Sequence, residues 1–122
     1  MKATAKGIKR IINAFGYSFS GFKQTFQSEA AFRQDIAFCS IMLIISFFIN
    51  VTVLQWLLMI GSLFLILLME LINTAIEAVV DRISPDYHEL SKKAKDIGSL
   101  LVLMAFIWTF IVWGSILFCV IR

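Results

Sequence analysis

A chain of 122 residues that is 60% hydrophobic and 16% charged is one small domain, and it is too apolar for a soluble protein of that size. It cannot build a large core of its own, so its apolar flanks require lipid or further copies of itself; a homo-oligomer is expected, and sites between subunits are open to it. The net charge of +3 comes from basic residues that flank apolar runs rather than forming a separate patch, which argues against a nucleic-acid partner.

Residues 1–28 predict an amphipathic surface helix. Ile8, Ile11, Ile12, Phe15, Phe19, Phe22 and Phe26 recur at spacings of three and four, with Lys6, Lys9, Arg10 and Asn13 mostly between them. An aromatic face backed by a basic one suits the headgroup layer of a membrane. Gly16 and Gly21 are expected to loosen or interrupt this helix. No cleavage site follows, so the segment does not read as a signal peptide.

EAAFRQD at 29–35 leads into a first membrane span, about 32–50, with Glu29 and Arg33 spaced to pair on one face. Residues 50–52 form the outer turn. A second span covers about 53–82, and Ser-Pro at 84–85 ends it, with Ser84 placed to cap and Pro85 to open the next helix. A short amphipathic segment follows, and residues 97–121 form a 25-residue uncharged third span. Ala94 and Gly98 allow close helix approach there. Cys39 and Cys119 both sit in apolar runs without metal-ligand spacing and read as buried free thiols. The expected fold is therefore an all-α membrane protein: one domain over 1–122, a surface helix plus three transmembrane helices, assembled as a homo-oligomeric bundle. Lys and Arg crowd the N-terminus and the loop around 82–95, whereas the outer turn carries no charge, so the N-terminus is expected in the cytoplasm.

The most informative polar residues lie in MELINTAIEAVVD. Residues 36–69 carry no charge, and then Glu70, Asn73, Glu77 and Asp81 fall within roughly 80° on one helical face. Glu70 stands about 30 Å of helix from the outer turn, one hydrocarbon thickness. Carboxylates at the mouth of a membrane helix are usually functional. Glu29 and Glu77 are suited to share a Mg²⁺ ion carrying phosphates, which leaves Glu70 free as a base made more effective by partial burial. No phosphate-binding glycine loop and no protein-kinase signature are present, so any nucleotide has to be held by carboxylate–metal bridges and scattered Lys and Arg. His88 is either a solvated loop residue or a nucleotide contact, and Tyr17 either an interfacial aromatic or a ligand. A non-catalytic metal-binding membrane oligomer is the alternative from another class; it would need polar lining across a span, and here the stripe stops at Glu70.

EAAFRQD at 29–35, ELINTAIEAVVDR at 70–82, YHELSKKAKDIGS at 87–99 and RIINAFGYSFSGFK at 10–23 resemble the prokaryotic diacylglycerol kinase family over nearly the whole chain. The resemblance implies a homotrimeric, multi-pass enzyme of the bacterial inner membrane that phosphorylates diacylglycerol with MgATP. It implies Glu70 as proton acceptor and Glu29 and Glu77 as metal ligands. Arg10, Tyr17, Asn73, Asp86, His88, Lys95 and Asp96, with Glu29 and Glu77, match nucleotide-contact positions. Arg10, Ala14, Ser18, Phe32, Arg33, Ser99 and Trp113, with Glu70, match lipid-contact positions. The chain departs from the family's pattern at Asp35, where Glu is frequent, in the Ser-Pro-Asp turn at 84–86, and at Trp56, where some members are basic. Undecaprenol kinase, a sister of the same fold, shares the NTAIE core; the FRQD and YHELSKKAKDIGS segments favour the diacylglycerol enzyme.

Overall fold

The chain holds a single proline, and its long runs of Leu, Ile, Met and Ala favour helix. The computed structural model describes residues 6–121, and helices are the only regular structure among them. The first five residues of the expected surface helix, and residue 122, lie outside the described part. Helix α1 spans Gly7–Ser28, α2 Ala30–Ser46, α3 Val53–Ile83 and α4 Glu89–Ile121.

Helix α1 buries none of its residues, and Ile8, Phe15 and Phe19 stand open on its apolar face. Gly16 and Gly21 do not interrupt it. A glycine costs about 1 kcal/mol against alanine, too little to end a helix whose neighbours all favour continuing it. Only Glu29 separates α1 from α2; its extended backbone ends one helix and begins the other. The expected Glu29–Arg33 pair is not formed. Arg33 instead turns back to donate to the carbonyls of Phe26 (2.7 Å) and Gln27 (3.1 Å). Those carbonyls are the unsatisfied acceptors of α1's last turn, at the negative end of its dipole. They outweigh an exposed i,i+4 pair worth only tenths of a kcal/mol.

Helix α2 stops at Ser46, short of the expected boundary near residue 50, because Phe47 and Phe48 bond back to Ile44 and Ile45 in a tight turn. Trp56 Nε1 donates to Ser46 Oγ at 3.0 Å and closes this end of the hairpin. Thr52 then starts α3 with a capping box: its hydroxyl accepts from the Gln55 N–H at 3.1 Å, and Gln55 Oε1 accepts from the Thr52 N–H at 2.9 Å.

At the other end of α3, Ser84 is the C-cap and Pro85 does not open the next helix. The Ser84 hydroxyl accepts from the Asp86 N–H, which commits it to the turn, so the cap falls to His88, whose Nδ1 accepts from the Leu90 N–H at 3.1 Å. From there α4 runs without a break. The amphipathic segment and the uncharged run expected as separate pieces are one helix of 33 residues.

Helices α3 and α4 are both long and apolar enough to cross a membrane. They pack antiparallel around Met59, Leu63, Ile66, Ala105, Val112, Trp113 and Ile116, with Cys39 of α2 joining from the side. Three side chains pin the register. Trp113 Nε1 donates to the Met59 carbonyl (3.1 Å), Thr109 Oγ1 to Ser62 (3.2 Å), and Cys39 Sγ lies 3.5 Å from the Leu63 carbonyl. Cys39 is buried as expected, but Cys119 is exposed on the flank of α4. Phe48, Phe110 and many other large apolar side chains are exposed as well, a surface suited to cover by lipid or by another protein chain.

Replacing Trp113 with Phe keeps an aromatic ring in this core and removes only the donor to Met59. We expect a loss of about 0.5–1.5 kcal/mol in detergent unfolding titrations. Unchanged stability would show that this hydrogen bond does not hold α4 on α3.

Candidate active site

The hairpin decides which charges meet. Its turn falls at the centre of the uncharged run at 36–69, so the charges at the two ends of that run return to the same level on adjoining antiparallel helices. Those charges are Asp35 on α2 and Glu70 on α3. Glu70 is only 6% exposed, and its carboxyl lies beside Asp35 and beside the Asn73 side chain one turn away. Asp35 was not among the expected site residues. Its signal was available in the sequence: it is the last charge before the run, as Glu70 is the first after it. Around this pair, Asp35 Oδ2, Asn73 Oδ1 and Thr74 Oγ1 are buried without a hydrogen-bond partner. Such groups are rare in folded proteins and mark this as a polar pocket with unused capacity.

One to two turns further along α3, a groove of about 370 Å³ opens between the end of α1 and α3. Glu29 and Glu77 both line it, with Ser28, Thr74 and Asp81 beside them. Ser28 Oγ donates to Glu29 Oε2 at 3.3 Å. No group of three or more His, Cys, Asp or Glu able to hold a metal occurs among the described residues. Two carboxylates in one groove nevertheless fit a hard cation such as Mg²⁺, which commonly takes one or two protein carboxylates and fills its shell with water and substrate phosphates.

A second groove, about 350 Å³, surrounds the turn between α3 and α4 and gathers Asp81, Asp86, His88, Lys95 and Asp96. Asp81 lines both grooves, so they adjoin. Lys95 Nζ meets Asp81 at 2.7 Å and Lys92 Nζ meets Asp96 at 2.7 Å. The hydrogen bond to Asp81 holds the Lys95 ammonium above its usual pKa, so it remains a cation throughout the neutral range.

Other expected site residues are not gathered here. Arg10, Ala14, Tyr17 and Ser18 are exposed on α1 and line neither groove. Arg33 is engaged at the end of α1, and Phe32 is buried edge-on to Phe22 with ring centroids 5.8 Å apart. Ser99 is exposed on α4. Trp113 is buried, and its Met59 partner is about 16 Å along α3 from Glu70.

Two helices of membrane-spanning length, with carboxylates collected where their apolar runs end, define a small helical membrane protein. The family model for prokaryotic diacylglycerol kinase matches residues 16–117. Diacylglycerol kinase of Haemophilus influenzae is 44% identical over 112 residues, covering 92% of this chain and 95% of that protein. The Escherichia coli K12 enzyme of that name is 43% identical over 117 residues, 96% of each chain. That of Pseudomonas aeruginosa is 44% identical over 111 residues, 91% of this chain and 90% of the relative. The chain belongs to the prokaryotic diacylglycerol kinase family. It is thus an enzyme of the kinase class, whose phosphoryl-transfer chemistry calls for a divalent metal.

Asp35→Ala leaves buried Glu70 without its carboxyl neighbour, whereas Asp35→Asn retains a donor to it. We expect the alanine variant to be less stable than the asparagine variant by about 1–3 kcal/mol in the same unfolding titration. Equal stabilities would show that the Asp35–Glu70 contact contributes nothing.

Proposed function

We propose that the chain transfers the γ-phosphoryl group of ATP to the primary hydroxyl of diacylglycerol, forming phosphatidic acid and ADP at the cytoplasmic face of the bacterial inner membrane. The observation that carries this reading is the buried carboxylate of Glu70, at the end of an apolar run in a helix of membrane-spanning length, one to two turns from a groove with two further carboxylates. A lipid lying in the bilayer can bring its hydroxyl to that depth, and a soluble nucleotide can reach the groove.

In this reading Glu70 accepts the hydroxyl proton as the oxygen bonds to the γ-phosphorus, and the bond from that phosphorus to the β–γ bridging oxygen breaks. Asn73 orients the Glu70 carboxylate. Glu29 and Glu77 would hold Mg²⁺, which when bound would supply charge neutralisation for the phosphates. Lys95, with Asp86, His88 and Asp96 around it, grips the nucleotide. Helix α2, at 17 residues, crosses the bilayer with help from the turn after it, which makes three spans beside the surface helix α1. Within one copy, Arg10, Ala14, Tyr17 and Ser18 stand apart from the grooves and the apolar flanks of α3 and α4 are uncovered. Both features favour a homo-oligomer in which neighbouring copies complete each site, and the family resemblance makes that oligomer a homotrimer.

The direct test is radiolabelled phosphate transfer from ATP in mixed micelles, with diacylglycerol and undecaprenol offered separately. Diacylglycerol should be the better acceptor; preference for the polyprenol would replace the substrate assignment and keep the mechanism. Within the site, Glu70→Gln should lower kcat about 10²-fold or more while MgATP binding persists. Glu77→Gln should weaken nucleotide affinity and recover part of its rate at high Mg²⁺. A Glu70→Gln enzyme that Mg²⁺ rescues as well as Glu77→Gln would refute the base assignment.

Topology is tested in a background where Cys39 and Cys119 are alanine, because Cys119 is exposed. An impermeant thiol reagent added to intact cells should label a cysteine at 122 and not one at 93. The opposite pattern would invert the orientation and rule out cytoplasmic ATP as the donor.

A further inference from the structure

Glycine is among the poorest helix formers, so a glycine inside a long helix needs a reason in its surroundings. Gly16, Gly21, Gly61 and Gly114 have none of that kind: a Cβ added at any of them meets nothing within 4 Å. Gly98, in α4, differs. A Cβ there would collide with Asn73 Oδ1 and would lie 3.2 Å from Asn73 Cγ and 3.5 Å from its Cα. The space a side chain would take at residue 98 is already filled by the Asn73 amide. Gly98 is itself buried, and Asn73 Oδ1 is buried with no hydrogen-bond partner. The oxygen is therefore not held by a donor; it is held by fit. The same side chain lies beside Glu70, one turn back on α3. With Oδ1 against α4, the amide nitrogen is the end that faces away from Gly98 and is able to donate to a carboxylate.

We propose that Gly98 is a positioning residue for the phosphoryl-transfer step. Its missing side chain forms a seat on α4 that fixes the rotamer of Asn73, and Asn73 in turn fixes the Glu70 carboxylate. Gly98 touches no substrate and acts only through Asn73. The proposal deepens the kinase reading above and rests on it, since it presumes that the orientation of Glu70 matters to turnover.

The experiment is a double-mutant cycle on the full-length enzyme in mixed micelles: wild type, Gly98→Ala, Asn73→Ala and the double variant. Each is assayed for kcat, for KM of diacylglycerol and of MgATP, and for thermal unfolding. Gly98→Ala displaces Asn73 and should lower kcat by about 10- to 100-fold, the scale of a misplacement near 1 Å, with KM for MgATP within about twofold of wild type. Asn73→Ala empties the seat. Added to it, Gly98→Ala should change kcat by less than about twofold and should raise rather than lower the unfolding temperature, since the new methyl fills the vacated space. Independent, multiplying losses in the double variant would overturn the proposal, as would normal kcat in Gly98→Ala beside an impaired Asn73→Ala. Normal kcat in Asn73→Ala would remove the role given to Asn73 in the mechanism, and this proposal with it. If Gly98→Ala alone fails to fold, a double variant that folds and matches Asn73→Ala supports the seat; a double variant that also fails to fold shows that the glycine serves helix packing alone and refutes it.

Discussion

In the apolar interior of a bilayer a polar group has no water to fall back on, so a polar side chain between the helices is drawn to a partner on its own helix or on a neighbour. That constraint sets the register of this protein. Trp113, Thr109 and Cys39 each reach across to a backbone carbonyl of α3, and the apolar residues between them pack in whatever alignment those contacts permit. Near one end of the α3–α4 pair the alignment brings Gly98 against Asn73, and beyond it Lys95 against Asp81. On the other flank of α3 it brings Asp35 to Glu70. The polar end of the molecule is thus a consequence of contacts made well inside the apolar part.

The contrast between the two ends of the bundle follows from the same constraint. Where the Ser46–Trp56 and Thr52–Gln55 contacts close the α2–α3 hairpin, each of those polar groups is satisfied within the chain. At the opposite end three buried oxygens have no partner, and two adjoining grooves are lined by Glu29, Glu77, Asp81, Asp86 and Asp96. Unused hydrogen-bonding capacity and concentrated negative charge both oppose folding. Their confinement to one end is what separates a site from a structural core, and it is consistent with a metal-borne, phosphate-rich ligand at that end.

Much of this was legible from residue order, because a membrane helix writes its length and its boundaries in hydropathy. The N-terminal helix, the hairpin turn near residue 50 and the polar stripe from Glu70 to Asp81 all follow from periodicity and from the position of charge. What the sequence did not show was local competition for hydrogen bonds. Arg33 had a spaced partner in Glu29 and still went to the carbonyls at the end of α1; Ser84 had the look of a cap and was taken by the turn, leaving His88 to do it. Asp35 was overlooked for a different reason. A stripe on a single helix does not include it; its significance comes from pairing across the hairpin, which appears only once the uncharged run is folded back on itself. Arg10, Ala14, Tyr17, Ser18 and Trp113 entered on family resemblance, and no single copy of the chain brings them to Glu70.

The spacing of Glu70 and Glu77 fits a kinase whose two substrates come from different phases. Seven residues of helix return to nearly the same face after about 10 Å of rise. Under the proposed reaction, that separation puts Glu70 at the depth of a lipid hydroxyl and Glu77 at the groove that would receive the nucleotide. Glu70 is buried and Glu77 half-exposed, although they share a stripe, because Glu77 lines the open groove beside α1. A shift of one residue in either position would turn the carboxylate by about 100° off the shared face. A shorter spacing of three or four residues would keep the face but cut the separation to about 5–6 Å. Given the proposed reaction, the two-turn interval lets a single rigid helix present a base to the membrane and a metal ligand to water without any movement between them.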